Sequence, residues 1–311
     1  MIINHNILIA GASGFIGKNL VDFLKSKNFK VGSLSLRDIN WKSKINDDYN
    51  VIINLVGKAH DHKGIATEED YFTVNYDYTK QLFYEFLRSN VQLFIHISSI
   101  ASVEEFHSEI ELTETSICNP ISFYGKSKFE SEKWLLAQDI PEGKKLIILR
   151  PPMVHGRGDK GNLGQLFNFL SKGIPYPLNA FDNKRSFISI LNFNYFIYQI
   201  IIHSTELKDK VYHISDDEPL STKELIGIIN KVLGKRNSNI LIPKFLINIL
   251  ANIGEILPIP INKKRLKKLT GSLVVSNQKI KEQLKISKLP QTAAEGIRET
   301  IISFSNTFSS E

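Results

Sequence analysis

The chain has 311 residues, with 39 Lys and Arg against 32 Asp and Glu, for a formal charge of +7. Hydrophobic residues make up 42% and charged residues 23%, which excludes collagen-like, coiled-coil and largely disordered chains. This length predicts one large or two modest domains, and the single cysteine, Cys118, excludes an internal disulfide framework and a cysteine-rich zinc site.

Such cysteine usage suits a reducing cytoplasm, where the chain is expected to reside. The most apolar stretch, Phe245–Ile261, carries Asn248, Asn252, Glu255 and two prolines, so no membrane insertion is expected. The N-terminus has no basic segment ahead of its apolar run and does not read as a signal peptide. Positive charge is densest at Lys263, Lys264, Arg265, Lys267 and Lys268, which reads as a solvated helix face. With no RNA-recognition or zinc-finger pattern, no nucleic-acid partner is expected.

Strand and helix signals alternate through the first half. Asn6–Ala10 is a short apolar run of strand length, and Ile16–Lys27 follows with helical spacing. Lys30–Leu36 and Val51–Val56 read as strands, Val74–Ser89 as a helix, and Gln92–Ile97 as a strand. Ser122–Gln138 is a predicted helix and Lys145–Leu149 the next strand. Apolar runs without strict alternation fit strands covered on both faces. The alternation therefore predicts an α/β fold, a doubly wound parallel Rossmann sheet. After Arg150 the chain turns loop-rich, then carries a strand at Ser186–Ile190 and a helix at Ser221–Leu233, capped by Ser221 with Glu224 three residues on. The division predicted is 1–153 for the dinucleotide domain, rejoined by about 187–203, and 154–311 for a smaller, mostly helical C-terminal α/β substrate domain.

Gly11-Ala12-Ser13-Gly14-Phe15-Ile16-Gly17 follows the first strand directly and opens the first helix. Glycines here permit a tight turn, close approach of a pyrophosphate and close packing of helix on sheet. The helix N-terminus adds free N–H groups and the positive end of its dipole. The segment is a dinucleotide-binding candidate.

Tyr124-Gly-Lys-Ser-Lys128 sits at the start of a predicted helix, and the spacing of four puts Tyr124 and Lys128 on one face. A cation beside a phenol favours the phenolate, so Lys128 is expected to draw the Tyr124 pKa down into the range of a general acid or base. Ser98 and Ser99 lie just past a strand end, where open α/β sheets bind ligands.

The G-x-x-G-x-x-G loop, the Ser99–Tyr124–Lys128 order and the run from Pro120 to Lys128 resemble the extended short-chain dehydrogenase/reductase family of nucleotide-sugar epimerases, dehydratases and reductases. The resemblance implies Ser99, Tyr124 and Lys128 as the catalytic triad, with Ser98 its neighbour. It places Leu55, Val56 and Gly57 at a strand end beside the cofactor, Asn75 on the helix that props the site, and Pro151 in the segment closing the cofactor domain. Lys128 would also reach the cofactor ribose. His155 stands where the family usually has tyrosine. Within the family, the segments from Arg150 to Asn162 and from Asn183 to Phe187 resemble enzymes of bacterial polysaccharide (O-antigen) biosynthesis that reduce UDP-4-keto-6-deoxy-N-acetylhexosamines. By that likeness Asn162 and Arg185 would hold the UDP pyrophosphate.

The position that would carry an acid for a ribose 2′-OH is Ser35, with Arg37 two residues on, so NADP(H) is expected over NAD(H). Asp38 follows directly and would restore an acid under a small register shift. Cys118 reads as an inert loop thiol, His96 as a core histidine, and His60, Asp61 and His62 as a solvated loop, so no metal site is expected. The expectation is an enzyme reducing the C4 ketone of a UDP-sugar. A UDP-hexose or UDP-N-acetylhexosamine 4-epimerase is the alternative, and a cofactor-sensing protein the non-enzymatic one. Ile100 and Ala101, which follow Ser99, cannot transfer protons, which argues against a 4,6-dehydratase. A homodimer is left open.

Overall fold

The computed structural model describes residues 5–59, 65–159, 161–173, 183–235 and 270–308. The stretch at Phe245–Ile261, the basic cluster at 263–268 and the His60–His62 segment lie outside the described residues.

Six strands form one sheet: β1 (Asn6–Ala10), β2 (Lys30–Leu34), β3 (Val51–Asn54), β4 (Leu93–Ile97), β5 (Lys145–Arg150) and β8 (Val211–His213). Their order is β2-β1-β3-β4-β5-β8, and every pairing is parallel. The order reverses beside β1, which opens a crevice at the carboxyl ends of β1 and β3. The expected doubly wound α/β fold is thus what the chain adopts. β6 (Met153–His155) and β7 (Phe187–Ser189) form a separate parallel pair.

Strand alternation feeds two cores. Ile7, Ile9, Ile53, Ile95 and Ile147 face α1 (Phe15–Ser26) and α6 (Ile190–Ile202), which contribute Leu20, Leu24, Phe193 and Phe196. Leu8, Ile52, Phe94 and Ile148 face the opposite layer, where α3 (Tyr78–Arg88) contributes Leu82, Phe83 and Phe86, and α4 (Phe123–Leu136) contributes Leu135. A third cluster joins α5 (Asn162–Ser171), α7 (Thr222–Val232) and α9 (Ala293–Phe308) around Phe187. A short helix, α8 (Gln278–Gln283), packs through Ile280 into the first core.

Several expectations need correction. The sheet's sixth strand, β8, spans only Val211–His213 and was not anticipated. The helix expected at Val74–Ser89 begins earlier, with α2 (Glu68–Phe72) capped reciprocally by Thr67 and Asp70. It then widens into a π-helical turn, Thr73–Asp77, before α3. Such turns are rare and cluster at functional sites. This one contains Asn75. The Ser221–Glu224 capping box is present at the start of α7, as its spacing predicts.

Candidate active site

A single cleft of about 1910 Å³ runs from the glycine loop across the strand ends to the third cluster. It takes in Gly11, Ser13, Gly14, Phe15, Ile16, Gly17, Leu55, Gly57, Ser99, Tyr124, Lys128, Pro151, Asn162 and Arg185. Val56, Asn75 and Arg37 lie outside its lining. Val56 packs into the core between the sheet and α3, and Arg37 is exposed beyond the end of β2.

The loop geometry suits a dinucleotide. Gly11 has φ +85, a left-handed conformation that favours glycine. A Cβ on Gly17 would stand 2.4 Å from Gly11 O and 2.6 Å from Ala12 Cα, so α1 can leave the loop this closely only with glycine. The first turn of α1 carries no acid, which leaves its positive end for an anion. Lys18 lines the same end of the cleft.

Tyr124 lies in the first turn of α4, whose N-cap Ser122 accepts a hydrogen bond from Gly125 N at 3.0 Å. The Tyr124 and Ser99 side chains are hydrogen-bonded to each other. Ser99 Oγ also accepts from Ala101 N at 3.2 Å. Ser98 turns away from them and donates to Glu132. Lys128 is buried, and its Nζ donates to Ile97 O at 2.9 Å. A Cβ on Gly57 would come within 3.3 Å of that Nζ.

The electrostatics correct one expectation. Lys128 is not what sets the Tyr124 phenol. Burial pushes it up, the Ser99 hydrogen bond opposes this, and the Glu105 carboxylate and Tyr71 add to the rise. Lys128 points its charge at the Ile97 carbonyl, and burial brings its own pKa down to about 8 against the opposing pull of Glu132. Glu105 Oε1 accepts from Ile121 N at 3.1 Å and Ser122 N at 2.8 Å, so this carboxylate is fixed at the start of α4.

Buried polar groups hold the site from behind. Asn75 Oδ1 accepts from Lys58 N at 2.7 Å, and its Nδ2 donates to Lys58 O at 3.1 Å and Ser127 Oγ at 2.8 Å. Both amide hydrogens are thus used by protein, one of them on Ser127, the residue before Lys128. His96 is fully buried, as expected, and sits between Asn54 Nδ2 at 3.2 Å and Ser131 Oγ at 3.4 Å. Burial holds it well below the ordinary imidazole range, so it stays neutral.

Sequence reasoning missed one buried ion pair. Arg150 Nε lies 3.1 and 3.0 Å from the two Glu132 oxygens, and Glu132 also accepts from Ser98 and Ser102. The signal was available: Glu132 lies four residues after Lys128 on the same helix, at the spacing that shares a face. Arg150 Nη2 also donates to Cys118 Sγ at 3.6 Å, and burial pushes that thiol up, away from the reactive thiolate.

At the far end of the cleft, Asn162 opens α5 and is exposed. Arg185 donates to Gly271 O at 3.0 Å, Phe106 O at 3.2 Å and Glu105 O at 3.5 Å, and burial lowers it to about 10, so it stays a cation. Among the described residues, no group of three or more His, Cys, Asp or Glu side chains is placed to hold a metal ion. No helix among them is long and apolar enough to cross a membrane.

Comparison with known proteins places this cleft in context. The chain is 30% identical over 325 aligned positions to a UDP-glucose 4-epimerase of Vibrio cholerae, covering 96% of this chain and 95% of that protein. Its fold resembles the UDP-glucuronic acid 4-epimerase of Bacillus cereus solved with NAD, at TM-score 0.73 and 18% identity, covering 97% of this chain and 99% of that one. It also resembles RMD from Pseudomonas aeruginosa solved with NADPH, at TM-score 0.70 and 16% identity, with 97% and 99% covered. The sequence pattern of the NAD dependent epimerase/dehydratase family matches residues 7–214, and the chain belongs to that family.

Proposed function

We propose that this enzyme reduces the C4 ketone of a UDP-4-keto-6-deoxy-N-acetylhexosamine with NADPH. One observation carries the choice of cofactor and, with it, of net reduction. Beyond β2, Ser35 and Arg37 are exposed, while Asp38 is held by Lys44 and accepts from Asn40 N at 3.1 Å. Asp38, the acid that follows Arg37, is thereby engaged within its own turn, and the guanidinium remains for a 2′-phosphate. An NADPH-linked enzyme exchanges its cofactor each cycle, as net reduction requires.

The bound nicotinamide would supply the hydride to C4. Tyr124 gives its proton to the C4 oxygen, and its raised pKa keeps that proton in place until charge develops. Ser99 hydrogen-bonds the same oxygen, and Lys128 holds a positive charge beside the ribose. Asn162 and Arg185 take the UDP pyrophosphate, where the Arg185 cation contributes charge-assisted bonds. The cofactor unit comprises 1–153 rejoined by about 187–203, and 154–311 forms the substrate unit. Support comes from α6, which packs on α1 and the sheet.

A second reading, 4-epimerisation of a UDP-hexose or UDP-N-acetylhexosamine, is favoured by the likeness to the Vibrio cholerae UDP-glucose 4-epimerase. The two separate in one assay. Stoichiometric NADPH oxidation with a UDP-4-keto-6-deoxy-N-acetylhexosamine, giving a 6-deoxy product, supports reduction. Co-purified NAD, no NADPH consumption and interconversion of UDP-gluco and UDP-galacto sugars would establish the epimerase instead.

A further inference from the structure

We infer that Arg157, assisted by Lys18, binds the pyrophosphate of the dinucleotide cofactor. The inference rests on the reading of the glycine-loop end of the cleft as the cofactor site.

Three observations converge on it. First, the segment after β6 is docked on the start of α1, although far away in sequence. Asn19 Nδ2 donates to Arg157 O at 3.2 Å and to Phe15 O at 2.9 Å, so one side chain ties that segment to the first turn of α1. Gly158 adopts φ +87, with its Cβ position 3.9 Å from the Phe15 ring, and a Cβ on Gly156 would come within 2.4 Å of Ile190. This close packing sets the Arg157 backbone beside the glycine loop.

Second, the charge is uncommitted. Lys18 and Arg157 line the cleft with Gly14 and Gly17, both are exposed, and neither forms an ion pair among the described residues. The other two cations of the cleft, Lys128 and Arg185, are directed at backbone carbonyls.

Third, the ligand needs more than the loop supplies. A dinucleotide pyrophosphate carries two negative charges, whereas a helix N-terminus presents about half a positive charge. Two cations at the loop complete the neutralisation. The planar guanidinium of Arg157 suits two phosphate oxygens at once. Lys18, in the first turn of α1, adds a point charge with its Cα–Cβ bond tilted toward the helix N-terminus.

The test is calorimetric binding to purified Arg157→Gln, Arg157→Lys and Lys18→Gln proteins, with NADPH, NAD⁺, ADP-ribose, AMP and UDP as separate probes. Arg157→Gln is expected to weaken NADPH, NAD⁺ and ADP-ribose about 10- to 100-fold, to leave AMP and UDP within about twofold, and to reduce the salt dependence of cofactor binding. Arg157→Lys should recover part of the loss, and Lys18→Gln should show a smaller loss on the same probes. Unchanged dinucleotide affinity in Arg157→Gln would overturn the inference, and so would a loss confined to UDP, which would assign Arg157 to the substrate's pyrophosphate. Wild-type protein that binds neither nicotinamide dinucleotide would overturn the cofactor reading itself, an outcome visible before any variant is compared.

Discussion

Removing the Glu132 carboxylate should cost the fold more than any surface change can. Glu132 is 1% exposed, its partner Arg150 5%, and both Ser98 and Ser102 donate to the same carboxylate. Glu132→Ala leaves a buried guanidinium without its counter-charge, a loss of about 3–5 kcal/mol. The Ser98 hydroxyl loses its acceptor as well, at about 1–3 kcal/mol if it finds no new partner, whereas Ser102 keeps Ser99 O at 2.8 Å. Set against the usual 5–15 kcal/mol total, the variant should stand near its folding threshold. Urea titration followed by circular dichroism would show the midpoint collapse. The double change Glu132→Leu with Arg150→Met replaces the pair by apolar groups and should recover most of the loss. A Glu132→Ala protein within about 1 kcal/mol of wild type would refute the reasoning, because it would mean that the guanidinium reaches water.

Tyr124→Phe should lower turnover about 100- to 10,000-fold, with cofactor affinity by titration within about twofold. Gly17→Ala should abolish dinucleotide binding in the same titration, since a Cβ would meet the Gly11 and Ala12 backbone at 2.4–2.7 Å. Lys128 titrates at about 8 in the folded chain against 10.5 in its ordinary state. Between those values the unfolded chain binds more protons, so this residue makes stability rise with pH by about 3 kcal/mol across the window. Lys128→Met should flatten that slope in urea titrations taken from pH 8 to 10.

What the sequence conveys best is what short-range chemistry enforces. β1 falls at Asn6–Ala10 as read, because an apolar run must end where Gly11 turns. Ser122 and Ser221 cap α4 and α7 where hydroxyls precede helical patterns. The features that escaped depend on partners distant in the chain. Three residues, Val211–His213, make a strand only because β5 already presents an open edge. The π-helical turn at Thr73–Asp77 has no periodic signature, and its worth lies in bringing Asn75 to Lys58 and Ser127. Tyr124 and Lys128 share a helix face as the spacing demands, yet the pKa of the phenol answers to burial and to Glu105, which spacing does not reveal.

The core on the α1 face has a further consequence. Its members run from Ile7 to Leu289, with Phe193 and Phe196 of α6, Ile280 of α8 and Leu284 just after it sealing strands made from the first half of the chain. On the ribosome, those strands emerge long before their cover. Until about residue 289 has been synthesised, the part of that apolar face that α1 and α6 leave open lacks its cover. A truncation after residue 153 would share that defect permanently, lacking α6 and leaving β5 as a bare edge without β8. Closure of that face is thus completed only by the last fifth of the sequence, and chaperone dependence during synthesis should be greatest while that segment is still missing.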